Sequence, residues 1–130
     1  MPAPSSTTYS AAAKTAAQTA LLGLIDGGSG AGKVKFYTSA DALLGTQTLT
    51  DPAGTVNSGT GVLSLTPATS STNASATGTV AYATITDSAD TVIVSAPAQA
   101  GSTPVTGYVV INTLSFVGGS PFSLVSATIG

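Results

Sequence analysis

Histidine, cysteine, glutamate, arginine and tryptophan are all absent from the 130-residue sequence. Acid–base catalysis near neutral pH needs a group with a pKa near 7, most often histidine. Zinc and copper sites need thiolate or imidazole ligands, which this chain lacks. We therefore expect no enzyme activity and no catalytic residues, and we expect no metal, cofactor or small-molecule substrate.

Charge is also scarce, at 6% of the residues with a formal net charge of −2. Three lysines without any arginine are too few to neutralise a run of phosphates, so we expect no nucleic-acid partner. No apolar run approaches the roughly 20 residues that a membrane-spanning helix needs, so we expect no membrane partner. Residues 1–8 lack the basic and apolar regions of a secretion signal.

Hydroxyl side chains take the place of charge in a sequence that is 42% hydrophobic. Threonine interleaved with valine, isoleucine and leucine is typical of β-strands. Disordered chains combine low hydrophobicity with high net charge, and this chain has neither property. The length fits a single domain with a substantial core.

Residues 1–8 predict an extended arm. Pro2 and Pro4 hold their neighbours out of the helical region of the backbone, because a proline restricts both itself and the residue before it. The arm is expected either to be frayed or to lie against a partner. We therefore name Pro2 and Pro4 as candidate partner contacts.

Residues 9–26 are rich in alanine and predict the one α-helix, which Ser10 or Thr8 caps and Gly27-Gly28 ends. Apolar residues at helical spacing predict one stripe, with Lys14 and Gln18 off it. The stripe comprises Ala13, Ala17, Ala20, Leu21, Leu24 and Ile25. The sequence leaves open whether this stripe packs on the protein's own body or on a neighbouring subunit.

Residues 33–130 predict a mainly β body, an antiparallel β-sandwich or jelly roll of about seven strands. The predicted strands are residues 33–37, 43–50, 61–66, 80–86, 91–95, 108–116 and 122–129. Turn residues cluster at positions 51–54, 57–59, 87–90 and 118–121. The turn at 87–90 predicts a hairpin, and residues 67–77 predict an exposed, mobile loop.

The glycine-rich segment Gly27-Gly28-Ser29-Gly30-Ala31-Gly32-Lys33 has the spacing that begins a phosphate-binding loop. Val34, however, stands where that motif needs serine or threonine for magnesium. A true phosphate loop also follows a strand and opens a helix, and here the order is reversed. We interpret the segment as a flexible link between helix and strand.

The aspartates could in principle supply a paired-carboxylate hydrolase site. Asp51, Asp87 and Asp90 occur in predicted turns, and Asp26 stands at the helix end beside glycine. Turn chemistry accounts for these residues without catalysis. Tyr82 and Tyr108 are predicted to be core or cross-strand residues within strands, in preference to a sugar-stacking surface.

Lys33 and Lys35 fall on one face of a predicted strand, and Lys14 could lie nearby. One interpretation is an edge strand that charge protects from pairing. The other is a docking contact for an acidic partner. On the second interpretation, the three lysines join Pro2 and Pro4 as candidate partner contacts.

Several short segments occur in a characteristic order: Leu24-Ile25-Asp26-Gly27-Gly28, Val34-Lys35-Phe36-Tyr37-Thr38, Leu43-Leu44-Gly45-Thr46, Leu49-Thr50-Asp51-Pro52-Ala53-Gly54, Ala76-Thr77-Gly78-Thr79-Val80-Ala81-Tyr82 and Asp87-Ser88. From about Ala11 onward the chain resembles a family of small proteins encoded near the capsid genes of tailed bacteriophages. It departs from the family at Tyr82, where tryptophan is usual, and in a shortened stretch after Thr38.

The resemblance implies a structural virion protein, a head decoration (cement) protein that binds and stabilises the major capsid protein lattice. It implies self-association as a homotrimer, synthesis in the host cytoplasm and a place on the outer surface of the head. The alternatives are a tail, baseplate or fibre component, or a carbohydrate-binding module for host attachment. An aspartate-dependent hydrolase is the remaining hypothesis.

Overall fold

The computed structural model describes residues 9–129, so the predicted arm with Pro2 and Pro4 lies outside the described residues. One helix, α1, spans Ala11–Ile25. The strands are β1 (Lys33–Tyr37), β2 (Leu43–Asn57), β3 (Val62–Pro67), β4 (Thr72–Asn73), β5 (Gly78–Thr79), β6 (Tyr82–Thr86), β7 (Val92–Ala100), β8 (Val109–Ile111), β9 (Ser115–Phe116), β10 (Pro121–Phe122) and β11 (Leu124–Ile129).

The prediction of a mainly β fold with one N-terminal helix is confirmed. The expected sandwich or jelly roll is wrong, because seven strands close into a barrel in the order β1-β2-β3-β11-β8-β7-β6. Neighbouring strands are antiparallel except β7 and β8, which are parallel. Two further two-stranded sheets, β4 with β10 and β5 with β9, add to the barrel.

The barrel closes because two long strands are each shared between different partners. The first part of β2 pairs with β1 and its last part with β3, with a register shift between Leu49 and Gly54. Likewise β7 pairs first with β6 and then with β8. Strands that change partners at a bend join two sheets at their corners, so two layers become one continuous barrel.

Two predictions about loops are therefore corrected. Asp51-Pro52-Ala53-Gly54 is not a turn but the bend within β2, and residues 53 and 54 are buried. The segment 67–77 is not a uniformly exposed loop, because β4 lies within it and Ala74 is buried in the core. A strand ladder and an apolar contact outweigh the local turn preference of these residues.

The predicted hairpin at 87–90 is confirmed, since β6 and β7 pair in antiparallel fashion on either side of it. Asp87 organises the turn by accepting hydrogen bonds from the backbone N–H groups of Ala89 and Thr91, both at 2.9 Å. The turns at 57–59 and 118–121 are also present. Asn57 organises the first of these by accepting from the N–H of Gly59 at 2.8 Å.

The core fills the barrel with alternate residues of each strand, as the two-residue period of a strand requires. Val34 and Phe36 of β1 are fully buried. Phe36 makes edge-on contacts with Phe116 and Phe122, which stack on each other with ring centroids 4.3 Å apart. Gly45 lies against these rings, where an added Cβ would come within 2.8 Å of Phe122.

Helix α1 begins where predicted, because the Ser10 side chain accepts a hydrogen bond from the N–H of Ala13 at 3.1 Å. It packs on the protein's own body, in contact with β2, β3 and β7. Ile25 is fully buried, and Leu21 and Leu22 pack against the core. β7 is not a barrel neighbour of β2 or β3, so α1 lies across one end of the barrel.

The predicted apolar stripe of α1 is wrong in its orientation. Lys14 and Gln18 belong to the half-buried inward face, and Ala13, Ala17 and Leu24 are exposed. The physical reason is that an alanine methyl offers little apolar area, so the larger leucine and isoleucine side chains decide which face is buried.

Candidate interaction surfaces

The outward face of β1 carries an ion cluster. The Nζ atoms of Lys33 and Lys35 each lie 3.0 Å from Oδ1 of Asp90, in the turn between β6 and β7. Asp90 has a left-handed backbone with φ of 67°, which aspartate adopts more readily than most residues. Hydrogen bonds from Lys33 and Lys35 lower the pKa of Asp90 below its ordinary value.

The edge-strand interpretation of these lysines is wrong, because β1 is paired on both sides, with β2 and with β6. The docking interpretation remains a prediction. Lys14 is not part of the cluster: it lies against Gly61, just before β3, whereas Ile25 lies against Gly32, next to Lys33. At 1.5 Å per residue, Lys14 and Ile25 are about 16 Å apart along the helix.

An aromatic pair extends the same outward face. Tyr37 and Tyr82 are cross-strand partners whose rings stack 5.3 Å apart at 13°. The Tyr82 hydroxyl donates to Oδ1 of Asp41 at 2.7 Å, and this hydrogen bond raises the pKa of Tyr82. The cross-strand role predicted for Tyr82 is confirmed. Tyr108, by contrast, lies just before β8 and is exposed.

Asp41 is held in place by a tight loop. Thr38 Oγ1 accepts hydrogen bonds from the N–H groups of Ala40 and Ala42, and Asp41 has a left-handed φ of 64°. The outward face of β1 and β6 therefore ends in two left-handed aspartates, each bonded to side chains of that face. Four of the eight charged side chains, Lys33, Lys35, Asp41 and Asp90, gather there, which leaves much of the remaining surface uncharged.

Neither Asp26 nor Asp51 belongs to the ion cluster. Asp26 caps the end of α1, and its Oδ1 accepts from the N–H of Ala53 at 2.7 Å. Asp51 lies exposed in β2, so the turn predicted for it is corrected. Among residues 9–129, no group of three or more aspartates is arranged to hold a metal ion.

The glycine-rich segment joins α1 to β1, the order of elements opposite to that of a phosphate loop. Gly28 has φ of 105° and lies against the Ser88 side chain of the β6–β7 turn. Gly32 is buried between Ile25 and the carbonyl oxygen of Thr86. These close approaches make the segment a packed link instead of an open anion cradle.

The outward face of α1 is the surface that sequence reasoning missed. It is free of charged side chains along its length and ends at Leu24, which is 58% exposed. The exposed residues of α1 are Ala11, Ala12, Ala13, Ala16, Ala17, Thr19, Ala20, Gly23 and Leu24. The helical spacing of 100° per residue could have identified this face. It places Lys14 and Gln18 on the same side as the large apolar residues Leu21, Leu22 and Ile25, which leaves the opposite side without charge.

No ligand-sized cavity is present within residues 9–129. Within residues 9–129, no helix combines the length and the apolar character that crossing a membrane requires. Comparison with protein-family models, with curated proteins and with solved structures gave no match to this chain.

Proposed function

We propose that this chain is a structural virion protein of a tailed bacteriophage, a head decoration protein that binds and stabilises the major capsid protein lattice. The observation that carries the proposal is the uncharged outward face of α1. An ordinary surface helix carries charged and polar residues on its solvent side, whereas the exposed residues of α1 are alanine, glycine and leucine with a single threonine, Thr19. The face of α1 that points away from the barrel is therefore suited to a protein partner.

The chemistry of this face favours broad contact. Alanine and glycine lose almost no side-chain freedom on burial, and no ion on the face has to be stripped of water. The barrel holds the face rigidly, because Ile25 is fully buried and Asp26 is bonded to β2. A rigid, uncharged surface binds with little ordering cost.

The small size of the face favours a partner that is present in many copies on one lattice. A 15-residue helix is about 22 Å long and about 10 Å wide, so it covers roughly 220 Å². A standard interface buries about 800 Å² on each partner. One such contact is weak by itself, whereas many copies on one lattice gain from multiplicity. Self-association as a homotrimer would add contact area, in line with the family resemblance.

A pair of lysine substitutions tests the face. Ala16→Lys places a charge at the centre of the face. Burying that unpaired charge at an interface should cost at least about 1.4 kcal/mol, so binding to heads that lack the protein should weaken by at least about tenfold. Ser102→Lys adds the same charge in an exposed loop and should bind like the wild type. Cosedimentation with heads from a phage deleted for this gene measures both variants.

A particle reconstruction tests the assignment itself. Hundreds of copies on the outer surface of the head are expected, with heads of the deletion phage less resistant to heat and osmotic shock. Unchanged resistance in the deletion phage would refute the stabilising role. A few copies at the tail would identify a tail component instead.

A further inference from the structure

The chain contains few kinds of side chain that one-electron oxidants attack. Cysteine, tryptophan and histidine are absent, and the only methionine is Met1, outside the described residues. Cysteine and methionine are the usual sites of protein oxidation. Their absence from residues 9–129 leaves the four tyrosines as the most readily oxidised side chains of the described part.

Two of the tyrosines, Tyr37 and Tyr82, are held against each other by the barrel. They lie directly opposite in the antiparallel ladder of β1 and β6, and the N–H of Ala81 donates to the carbonyl of Tyr37 at 2.8 Å. Their rings stack with centroids 5.3 Å apart, and both side chains are half-buried. Opposite residues in a sheet have Cβ atoms about 5 Å apart, so the ladder keeps the two rings in contact.

Tyr9 and Tyr108 have no such neighbour. Within residues 9–129, every aromatic contact is either among the core phenylalanines or between Tyr37 and Tyr82. Tyr9 precedes α1, Tyr108 precedes β8, and both are exposed. A radical on Tyr9 or Tyr108 therefore has no second tyrosine ring beside it in the same chain.

Asp41 supplies a proton acceptor to the tyrosine pair. The Tyr82 hydroxyl donates to Oδ1 of Asp41 at 2.7 Å, and the N–H of Asp41 donates to the carbonyl of Thr38 at 3.0 Å, which fixes the loop. A phenol that loses an electron becomes a strong acid, so a carboxylate within hydrogen-bond distance takes its proton as the electron leaves. The contact with Asp41 therefore favours Tyr82 as the site of the first oxidation.

We propose that Tyr37 and Tyr82 form a dityrosine cross-link when the protein meets a small one-electron oxidant, with Asp41 as the acceptor of the Tyr82 proton. Each ring gives up one electron and its phenolic proton, and a carbon–carbon bond joins the two ring carbons that lie beside the hydroxyl groups. The hydrogen on each joined carbon then moves to the oxygen of its own ring, which restores both phenols. Persulfate, for example, accepts the two electrons and becomes two sulfate ions, while the two protons pass to the solvent.

The cross-link would join two strands of a chain that has no cysteine for a disulfide. Tyr37 and Tyr82 are far apart in sequence, so the new bond closes a long loop of the unfolded chain. Such a closure lowers the entropy of the unfolded state, which stabilises the folded protein. The cross-linked protein should therefore unfold at a higher urea concentration than the untreated protein.

Oxidation of dilute, purified protein by persulfate and a ruthenium sensitiser in visible light tests the cross-link. The proposal does not depend on the assignment to a phage head. Dityrosine fluorescence of the monomer fraction measures the product, because coupling to a ring already in contact outpaces coupling between molecules. Mass spectrometry of a peptic digest should show the peptides of Tyr37 and Tyr82 joined, with the loss of two hydrogen atoms.

Three phenylalanine variants locate the bond. Tyr37→Phe and Tyr82→Phe each keep an aromatic ring but lack the phenol, so each should lose the dityrosine fluorescence of the monomer fraction. Tyr108→Phe is the matched control and should keep the wild-type yield. Circular dichroism of the untreated variants checks that all three are folded.

Asp41→Asn tests the proton acceptor. Asparagine tolerates the left-handed backbone at position 41, and its amide oxygen accepts a hydrogen bond without taking the proton. The initial rate of dityrosine formation should fall by at least about tenfold, because a positioned base typically contributes that much or more. Asp51→Asn removes an exposed carboxylate outside this loop and should keep the wild-type rate.

Three results would overturn the proposal. A wild-type monomer without dityrosine would show that the stacked pair does not couple within one chain. Dityrosine that persists in the monomer of Tyr37→Phe or Tyr82→Phe would place the bond between other tyrosines. Equal rates for Asp41→Asn and the wild type would show that Asp41 does not take the proton.

Discussion

Single residues in this protein gain structural roles through backbone conformations that few residue types adopt. Asp41 and Asp90 both have positive φ. The carboxylate of Asp41 accepts a hydrogen bond from Tyr82 of β6, and that of Asp90 forms an ion pair with Lys33 of β1. The sequence indicated a turn at Asp90 but gave no sign that its carboxylate binds two lysines. That pairing depends on the register of β1 with β6, which local sequence does not encode.

We expect a pH-dependent effect of Asp90→Asn. Because the pKa of Asp90 is lowered in the folded protein, its stabilising contribution is fully present above about pH 4, the ordinary aspartate value, and is lost as the pH falls through the lower, folded-state pKa. The urea midpoint of Asp90→Asn should therefore lie slightly below that of the wild type at pH 7. The two should converge in strong acid.

Asp51→Asn is the control for this measurement. Asp51 is exposed, and within residues 9–129 it forms no ion pair. Its substitution should not reproduce the pattern of Asp90→Asn. A difference for Asp90→Asn that persists in strong acid would argue against the ion cluster as the cause.

At the scale of elements, composition and caps were sufficient to predict α1, and alternating apolar residues were sufficient to predict β1, β3 and β6. The buried face of α1 was predicted wrongly, because six alanines within residues 9–26 make a helical stripe look continuous on more than one side. Only the positions of Leu21, Leu22 and Ile25 carry enough apolar area to distinguish the sides.

Gly23 tests the exposure of the outward face of α1. An added Cβ at Gly23 meets no atom within 4 Å, so Gly23→Ala should raise the free energy of unfolding by about 0.5–1 kcal/mol through helix propensity. Urea denaturation measures the change.

Gly61→Ala is the matched control, with the opposite sign expected. Gly61 has φ of 71° and lies against Lys14, so the same methyl group is both strained and obstructed. We expect a loss greater than about 1 kcal/mol. Destabilisation by Gly23→Ala would show that the outward face is not open.

At the scale of the whole molecule, the barrel could not be predicted, because closure depends on strands that change partners. The Asp51-Pro52-Ala53-Gly54 segment has strong turn preferences, yet it bends β2 without ending it. Likewise, the strand predicted to end at Ser95 continues to Ala100, and its last three residues pair with β8. Because β2 and β7 were both predicted to end too early, the sequence predicted two separate sheets instead of one closed barrel.

The placement of the three lysines has a consequence for proteolysis. Trypsin cuts after lysine or arginine, and the chain after Lys35 contains neither. Lys33 and Lys35 lie in the doubly paired strand β1, and Lys14 lies in α1 against Gly61. Cleavage needs a locally opened backbone, so the folded protein should resist trypsin while elastase cuts the exposed loop around Val105.

Mass spectrometry of timed digests measures this difference, and rapid tryptic cleavage of the folded protein at Lys33 or Lys35 would contradict the pairing of β1. Even after complete unfolding, trypsin would release everything from Phe36 onward as one long fragment, the larger part of the barrel in a single piece.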